Sequence, residues 1–198
     1  MKTLLTLLFS LITNLCLAQT IFHHPQLGFA IEHPEDWIIA KKEELIQNIK
    51  ENIKIDPNQL NKLLQESKGS VRIVDFYKYP IHSKEGIIPT IKINLRKNTT
   101  KTFDEFKKVT IESFSQVKQI FPDFKFIQAP IKTTLSGLDG LKATATYTVK
   151  AQTAEEKVTL TIYAVPVKDH FYQITFMDAE DEDNSELFDH IAKSITID

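Results

Sequence analysis

Thr102-Phe-Asp-Glu-Phe-Lys-Lys-Val-Thr-Ile-Glu-Ser-Phe-Ser-Gln-Val-Lys-Gln-Ile-Phe-Pro122 is the stretch on which the reading of the fold turns. Phe103, Phe106, Thr110, Phe114, Val117 and Phe121 recur at spacings of three and four, the period of one helix face. Thr102 is placed to cap that helix and Glu105 to close a capping box three residues on. Pro122, which cannot continue a helix, ends it. The spacing therefore predicts a helix over about 103–121 that lays a ridge of phenylalanines on a sheet. At roughly 1.5–3 kcal/mol per large buried side chain, this ridge is the main helix-to-sheet contact.

The sheet is read outward from that helix. Downstream, residues 124–128 read as a short strand and Leu135-Ser-Gly-Leu-Asp-Gly140 as a tight turn. Leu141, Ala143, Ala145, Tyr147 and Val149 then alternate with polar residues for about ten positions, the period of a half-buried strand. A second strand at 157–167 turns Val158, Leu160, Ile162 and Ala164 inward, and Lys168-Asp169 turns the chain into a third at 170–177. Connections this short require antiparallel pairing, hence a meander. Upstream, residues 90–97 place Ile91, Ile93 and Leu95 on a buried face and Lys92, Asn94 and Arg96 on a wet one. Val71 to Tyr79 is apolar on both faces and reads as a central strand. Gly28 to His33 opens as a short strand halted by Pro34, and Pro34-Glu-Asp-Trp37 makes a turn. Two further helices are expected within about 41–68: one over 41–54, one started by Asp56-Pro57-Asn58-Gln59. A last helix over about 185–194 has Leu187, Phe188, Ile191 and Ile195 as its apolar side. The class is α+β: a mostly antiparallel sheet of about six to seven strands with helices packed on its faces.

The start of the chain has a different character. Lys2 is the only charged side chain before Glu32, and Leu4 to Leu17 is almost wholly apolar. A run of roughly 12–14 residues is too short to cross a ~30 Å hydrocarbon core as a helix. A positive start, an apolar middle and the small-x-small Cys16-Leu17-Ala18 fit a signal peptide cut between Ala18 and Gln19. The rival readings are a retained membrane anchor and a lipid anchor on Cys16, whose chemistry wants a small residue where Leu15 stands. Residues 19–198 then form one domain with a helical insertion at about 41–68, exported to the periplasm or beyond the cell. Cys16 is the sole cysteine, so the mature chain has neither disulfide nor thiolate metal site. With 24 basic residues against 26 acidic ones and no basic stripe, nucleic acid is not the expected partner. The five glycines build neither GxGxxG nor GxxxxGK[ST].

No residue is assigned a catalytic, cofactor-binding or metal-binding role. Trp37 is read as a plug at the end of the core. His23, His24, His33, His82, His170 and His190 offer no close pair of the zinc-binding kind, and His23-His24 reads as part of an exposed, mobile N-terminus. Asp178-Ala-Glu-Asp-Glu-Asp183 is the densest acidic run, but it lacks the order and the glycine of a calcium loop. It reads instead as a solvated loop in which Asp183 caps the last helix and negative charge complements the helix dipole. Neither a G-x-S-x-G elbow nor H-E-x-x-H is present.

Gly28-Phe-Ala-Ile-Glu-His-Pro34-Glu-Asp-Trp37 resembles the entry of the PsbP-like family, whose fold is shared with the Ran-binding Mog protein. Phe171-Tyr-Gln-Ile-Thr-Phe176 and Phe188-Asp-His-Ile191-Ala-Lys-Ser194-Ile195 resemble its last strand and helix, and the Gly140 to Tyr147 hairpin fits as well. The 41–68 insertion is longer than that of the compact plant member. The resemblance implies an antiparallel sheet sandwiched by helices and no particular reaction. It implies an accessory module that binds an envelope or extracellular protein through its surface, using the insertion and the polar faces of the sheet. The alternative is a small-molecule carrier or hydrolase with a pocket, lined by Phe and Tyr, between helices and sheet.

Overall fold

A computed structural model describes residues 20–40, 69–81, 83–84, 86–150 and 155–198. The expected signal peptide with its cut between Ala18 and Gln19, and the expected helical insertion at about 41–68, lie outside the described residues. In chain order the elements are β1 (Ile21–His24), β2 (Phe29–Glu32), β3 (Ile38–Ile39), β4 (Ser70–Tyr77), β5 (Thr90–Lys97) and α1 (Phe103–Ile120). They continue with β6 (Lys125–Leu135), β7 (Leu138–Lys150), β8 (Glu155–Val167), β9 (His170–Ala179), α2 (Ser185–Ser194) and β10 (Thr196–Ile197).

Seven strands pair in the order β3-β4-β5-β9-β8-β7-β6, every neighbour antiparallel. The α+β, mostly antiparallel reading stands. The capping box of α1 forms as its sequence dictates: the Thr102 hydroxyl accepts from the Glu105 N–H at 3.2 Å, and the Glu105 carboxylate accepts from the Thr102 N–H at 3.3 Å. The ridge faces the sheet. Phe106 packs with Leu141 and Ala164, and Phe114 packs on Ala143 and Ala145. Small side chains on the sheet leave room for large ones on the helix.

The opposite face is also covered. There Val74, Phe76, Ile93, Ile174 and Phe176 meet Phe29 and Ile31 of β2 and Phe188, Ile191 and Ile195 of α2 and its end. A second sheet, β1-β2-β10, completes this layer. Because the large sheet is a middle layer, β8 buries alternate residues on both sides: Val158 and Ala164 toward one, Tyr163 and Val165 toward the other.

Four expectations need correcting. The N-terminus is not a loose end at His23-His24: Ile21 to His24 form β1, paired with β2 from Ile21↔Glu32 to His24↔Phe29. The opening strand belongs to the second sheet, not the first. β4 is not central; only the two-residue β3 lies outside it, and Val71 is 59% exposed. Its apolar character on both faces arises because Val74 and Phe76 enter one core while Tyr77 enters another with Ala40 and Ile88. The strand expected at 124–128 runs on to Leu135 as the sheet edge, with register shifts between Phe126 and Gln128 and between Gln128 and Ile131. Those irregularities, with Pro130 among them, blunt the edge against further pairing.

Candidate functional site

The register of β7 and β8 sets Lys142 beside Tyr163, Thr144 beside Thr161, Thr146 beside Thr159 and Thr148 beside Lys157. All of these lie on the face away from α1, because their neighbours Ala143 and Ile162 face it. The helix α2 covers only part of this face, and a groove of about 460 Å³ opens between the two. Its floor is Lys157, Thr159 and Thr161, ending at Tyr163. Phe176 and Phe188 form its apolar base, their rings 5.2 Å apart, with Tyr163 edge-on to Phe176 at 6.0 Å. Ser185 and Asp189 of α2, with the 180–183 loop, form the wall. Thr144 and Thr161 bring their hydroxyls to 3.4 Å, whereas Thr146 is buried and donates to the Val158 carbonyl at 2.8 Å.

Lys142 closes one end. Its ammonium sits 5.2 Å over the Tyr163 ring and 3.7 Å from the Asp189 carboxylate. The Tyr163 hydroxyl beside it, and then Asp189, raise its pKa against the cost of burial, so it stays charged.

The acidic run shapes the wall, and most of its carboxylates have partners. Asp178 accepts from the Asn184 backbone N–H at 2.8 Å and from the Asn184 amide at 2.7 Å. Lys84 reaches Asp181 at 3.1 Å and Glu182 at 3.0 Å, and Lys78 reaches Glu182 from the other side at 2.5 Å. Both ammonium groups also lie over the Tyr79 ring, at 5.6 and 5.5 Å. Burial on its own raises the Glu182 pKa, but the hydrogen bonds and charge of Lys78 and Lys84 outweigh it and bring it down to about 2. The Ser185 hydroxyl and N–H, at 2.6 and 3.1 Å, hold the Asp183 carboxyl below its usual range.

This arrangement corrects the capping assignment. Asn184, not Asp183, is the N-cap residue of α2, and its side chain makes no capping bond. Asp178 and Lys78 hold that side chain instead.

The other residues singled out in the sequence lie elsewhere. Trp37 is 5% exposed and edge-on to Phe188 at 6.1 Å, the core plug it was read as. His190 meets Glu32 at 2.9 Å, joining α2 to β2, and His170 meets Asp169 at 3.1 Å in the β8–β9 turn. His33 lies 4.9 Å from Phe76; His24 Nδ1 and His33 Nε2 are buried without a hydrogen-bond partner among the described residues. His82 lies outside the described residues. Among the described residues no three His, Cys, Asp or Glu side chains gather as a metal site.

Sequence reasoning missed a charged cluster on β4 and β5. Asp75 is 4% exposed and pairs with Arg72 at 3.2 Å, while its second oxygen has no hydrogen-bond partner among the described residues. Burial raises its pKa, opposed by Lys92 and Arg72. Arg72 also donates to the Ala40 carbonyl. Lys92 had been read as wet; it is half-buried, and the neighbouring Tyr77, against the cost of burial, and then Asp75 keep it charged. Arg96, on the same face, donates to Gln173 at 3.0 Å and lies 5.9 Å over Phe171.

No family model and no curated protein sequence matches the chain. Solved structures do resemble it in chain path. A solution structure of cyanobacterial PsbP from Synechocystis sp. PCC 6803 matches with a TM-score of 0.49 and 12% identity, over 93% of this chain and 96% of that one. The Ran-binding protein Mog1p of Saccharomyces cerevisiae matches with 0.47 and 9%, over 90% and 95%. A crystal structure from Bacteroides thetaiotaomicron VPI-5482 matches with 0.48 and 10%, over 91% of this chain. It is matched over 48% of its own length, so the chain spans about half of that protein. These are likenesses of chain path at low sequence identity. No helix among the described residues is long and apolar enough to cross a membrane.

Proposed function

We propose that this chain is an exported, non-catalytic binding module whose recognition surface is the groove between α2 and the threonine face of β7 and β8. The observation that carries the reading is the make-up of that groove. It combines an aromatic base of Tyr163, Phe176 and Phe188 with a hydroxyl floor and charges of both signs at its rim. A concave site with a few convergent polar groups on an apolar base is the usual form of a binding site. Export rests on the Lys2 and Leu4 to Leu17 pattern.

At Glu182 and Asp183 the electrostatics favour binding over acid–base chemistry. A general acid or base works best with a pKa near the working pH. Glu182 is held at about 2, and Asp183 is lowered from its ordinary value. Both are ionised and hydrogen-bonded at neutral pH, so neither has a proton to give. A small-molecule carrier is the second reading, favoured by the groove volume of about 460 Å³. It predicts that the captured species is of low molecular mass.

The test is capture from an envelope extract by the parent chain and by Thr161→Trp, which fills the floor. The parent is expected to retain a stoichiometric protein partner that Thr161→Trp, with an unchanged thermal midpoint, does not. Equal capture by both would remove the groove from the account.

A further inference from the structure

We infer that the groove takes an extended, basic peptide segment of a partner protein, an assignment that rests on the groove being the recognition surface. The first argument is spacing. Lys157, Thr159, Thr161 and Tyr163 project from one face of β8 at every second residue. On a strand that is one side chain per roughly 6.6 Å, over a floor of about 20 Å. An extended peptide turns its main-chain N–H and C=O groups to one side with the same two-residue repeat. A threonine hydroxyl both donates and accepts, so a chain lying along β8 meets a matching group at each repeat. The peptide cannot join as another strand there, because β8 is already paired on both sides by β7 and β9. Recognition on this floor is by side chains.

The second argument is charge. Five carboxylates line the groove against the two lysines Lys142 and Lys157. Lys78 and Lys84 meet Glu182 from behind, and Lys142 lies nearest Asp189. The helix side of the groove keeps an excess of negative charge at Glu180 and Asp183. A lysine or arginine of the peptide satisfies that side while its aliphatic stem lies on Phe188 and Tyr163. A neutral polyol matches the floor but leaves the wall unmatched, and an acidic segment is repelled by it.

The probes are two fluorescein-labelled hexapeptides, Lys-Thr-Lys-Thr-Lys-Thr and Glu-Thr-Glu-Thr-Glu-Thr, titrated with the full exported chain and followed by anisotropy. The lysine peptide is expected to bind at least tenfold more tightly than the glutamate peptide, and more weakly as salt rises. Glu180→Lys with Asp189→Lys should weaken it at least tenfold, and Thr161→Val about threefold. Asp104→Lys with Asp123→Lys, on exposed positions outside the groove, should leave the affinity within twofold. Thermal midpoints establish that each variant is folded. Equal binding of the two peptides, no binding of the lysine peptide, or loss with the outlying pair but not the groove pair would overturn the assignment. If capture of a partner still depends on Thr161, only the ligand class falls; if it does not, the groove reading falls with it.

Discussion

Phe176→Ala is expected to destabilise the fold by about 3–5 kcal/mol, the cost of removing a buried phenylalanine and leaving a cavity. Phe176 is 1% exposed and stands between the Tyr163 ring at 6.0 Å and the Phe188 ring at 5.2 Å. It therefore joins three things at once: the sheet, the inner face of α2 and the base of the groove. No neighbour is free to fill the space, since Tyr163 and Phe188 are themselves held by the sheet and by Trp37. In a chain of this size the loss lowers the thermal midpoint by roughly 10 °C or more. Thr161→Val, directly across from Phe176 on the neighbouring strand and on the half-exposed floor, should stay within about 0.5 kcal/mol. Urea unfolding of both variants checks the contrast; a loss below about 1 kcal/mol for Phe176→Ala would contradict the packing described.

Glu182→Gln is expected to cost roughly 2 kcal/mol at neutral pH, because two lysines keep their places around a group that no longer carries charge. The pH dependence has a definite sign. The Glu182 pKa falls from an ordinary 4.5 to about 2 in the folded chain. Its contribution is thus complete above about pH 4.5 and is lost as the pH falls through about 2. A shift of this size integrates to at most about 3.4 kcal/mol, and water around the two lysines brings it nearer to 2. The parent chain should lose stability over that acid window more steeply than Glu182→Gln, the two curves converging toward pH 2. Parallel curves would show that Glu182 is not gripped as described.

The parts of the fold that follow from local signals are those the sequence shows. The capping box at Thr102 and Glu105 and the spacing of Phe106 and Phe114 are self-contained, and α1 lies where they put it. β5 forms where its alternation puts it, with Ile91 and Ile93 buried, although Lys92 opposite them is half-buried. What escaped was set by distant partners. Ile21 to His24 becomes a strand because β2 is there to pair with it, and two adjacent histidines give no strand signal of their own. Asp183 has the right chemistry for a cap, but Asp178 and Lys78 fix Asn184 at that position.

The groove was half legible. Its threonines were seen as a polar face, a pattern that any half-buried strand shows. Their enclosure depends on where α2 crosses the sheet, and the grip of Lys78 and Lys84 on Glu182 spans about a hundred residues of chain. No spacing rule reaches that far.

The role assigned to the groove is open to a direct measurement. The sequence has one cysteine, Cys16, so Thr161→Cys in a chain that starts at Gln19 carries a single thiol, on the groove floor. Labelled with a benzophenone maleimide and irradiated in envelope extract, it should form one discrete adduct. The same label at Lys108→Cys, on the exposed side of α1, should form none. An adduct from position 108 with none from position 161 would contradict the account.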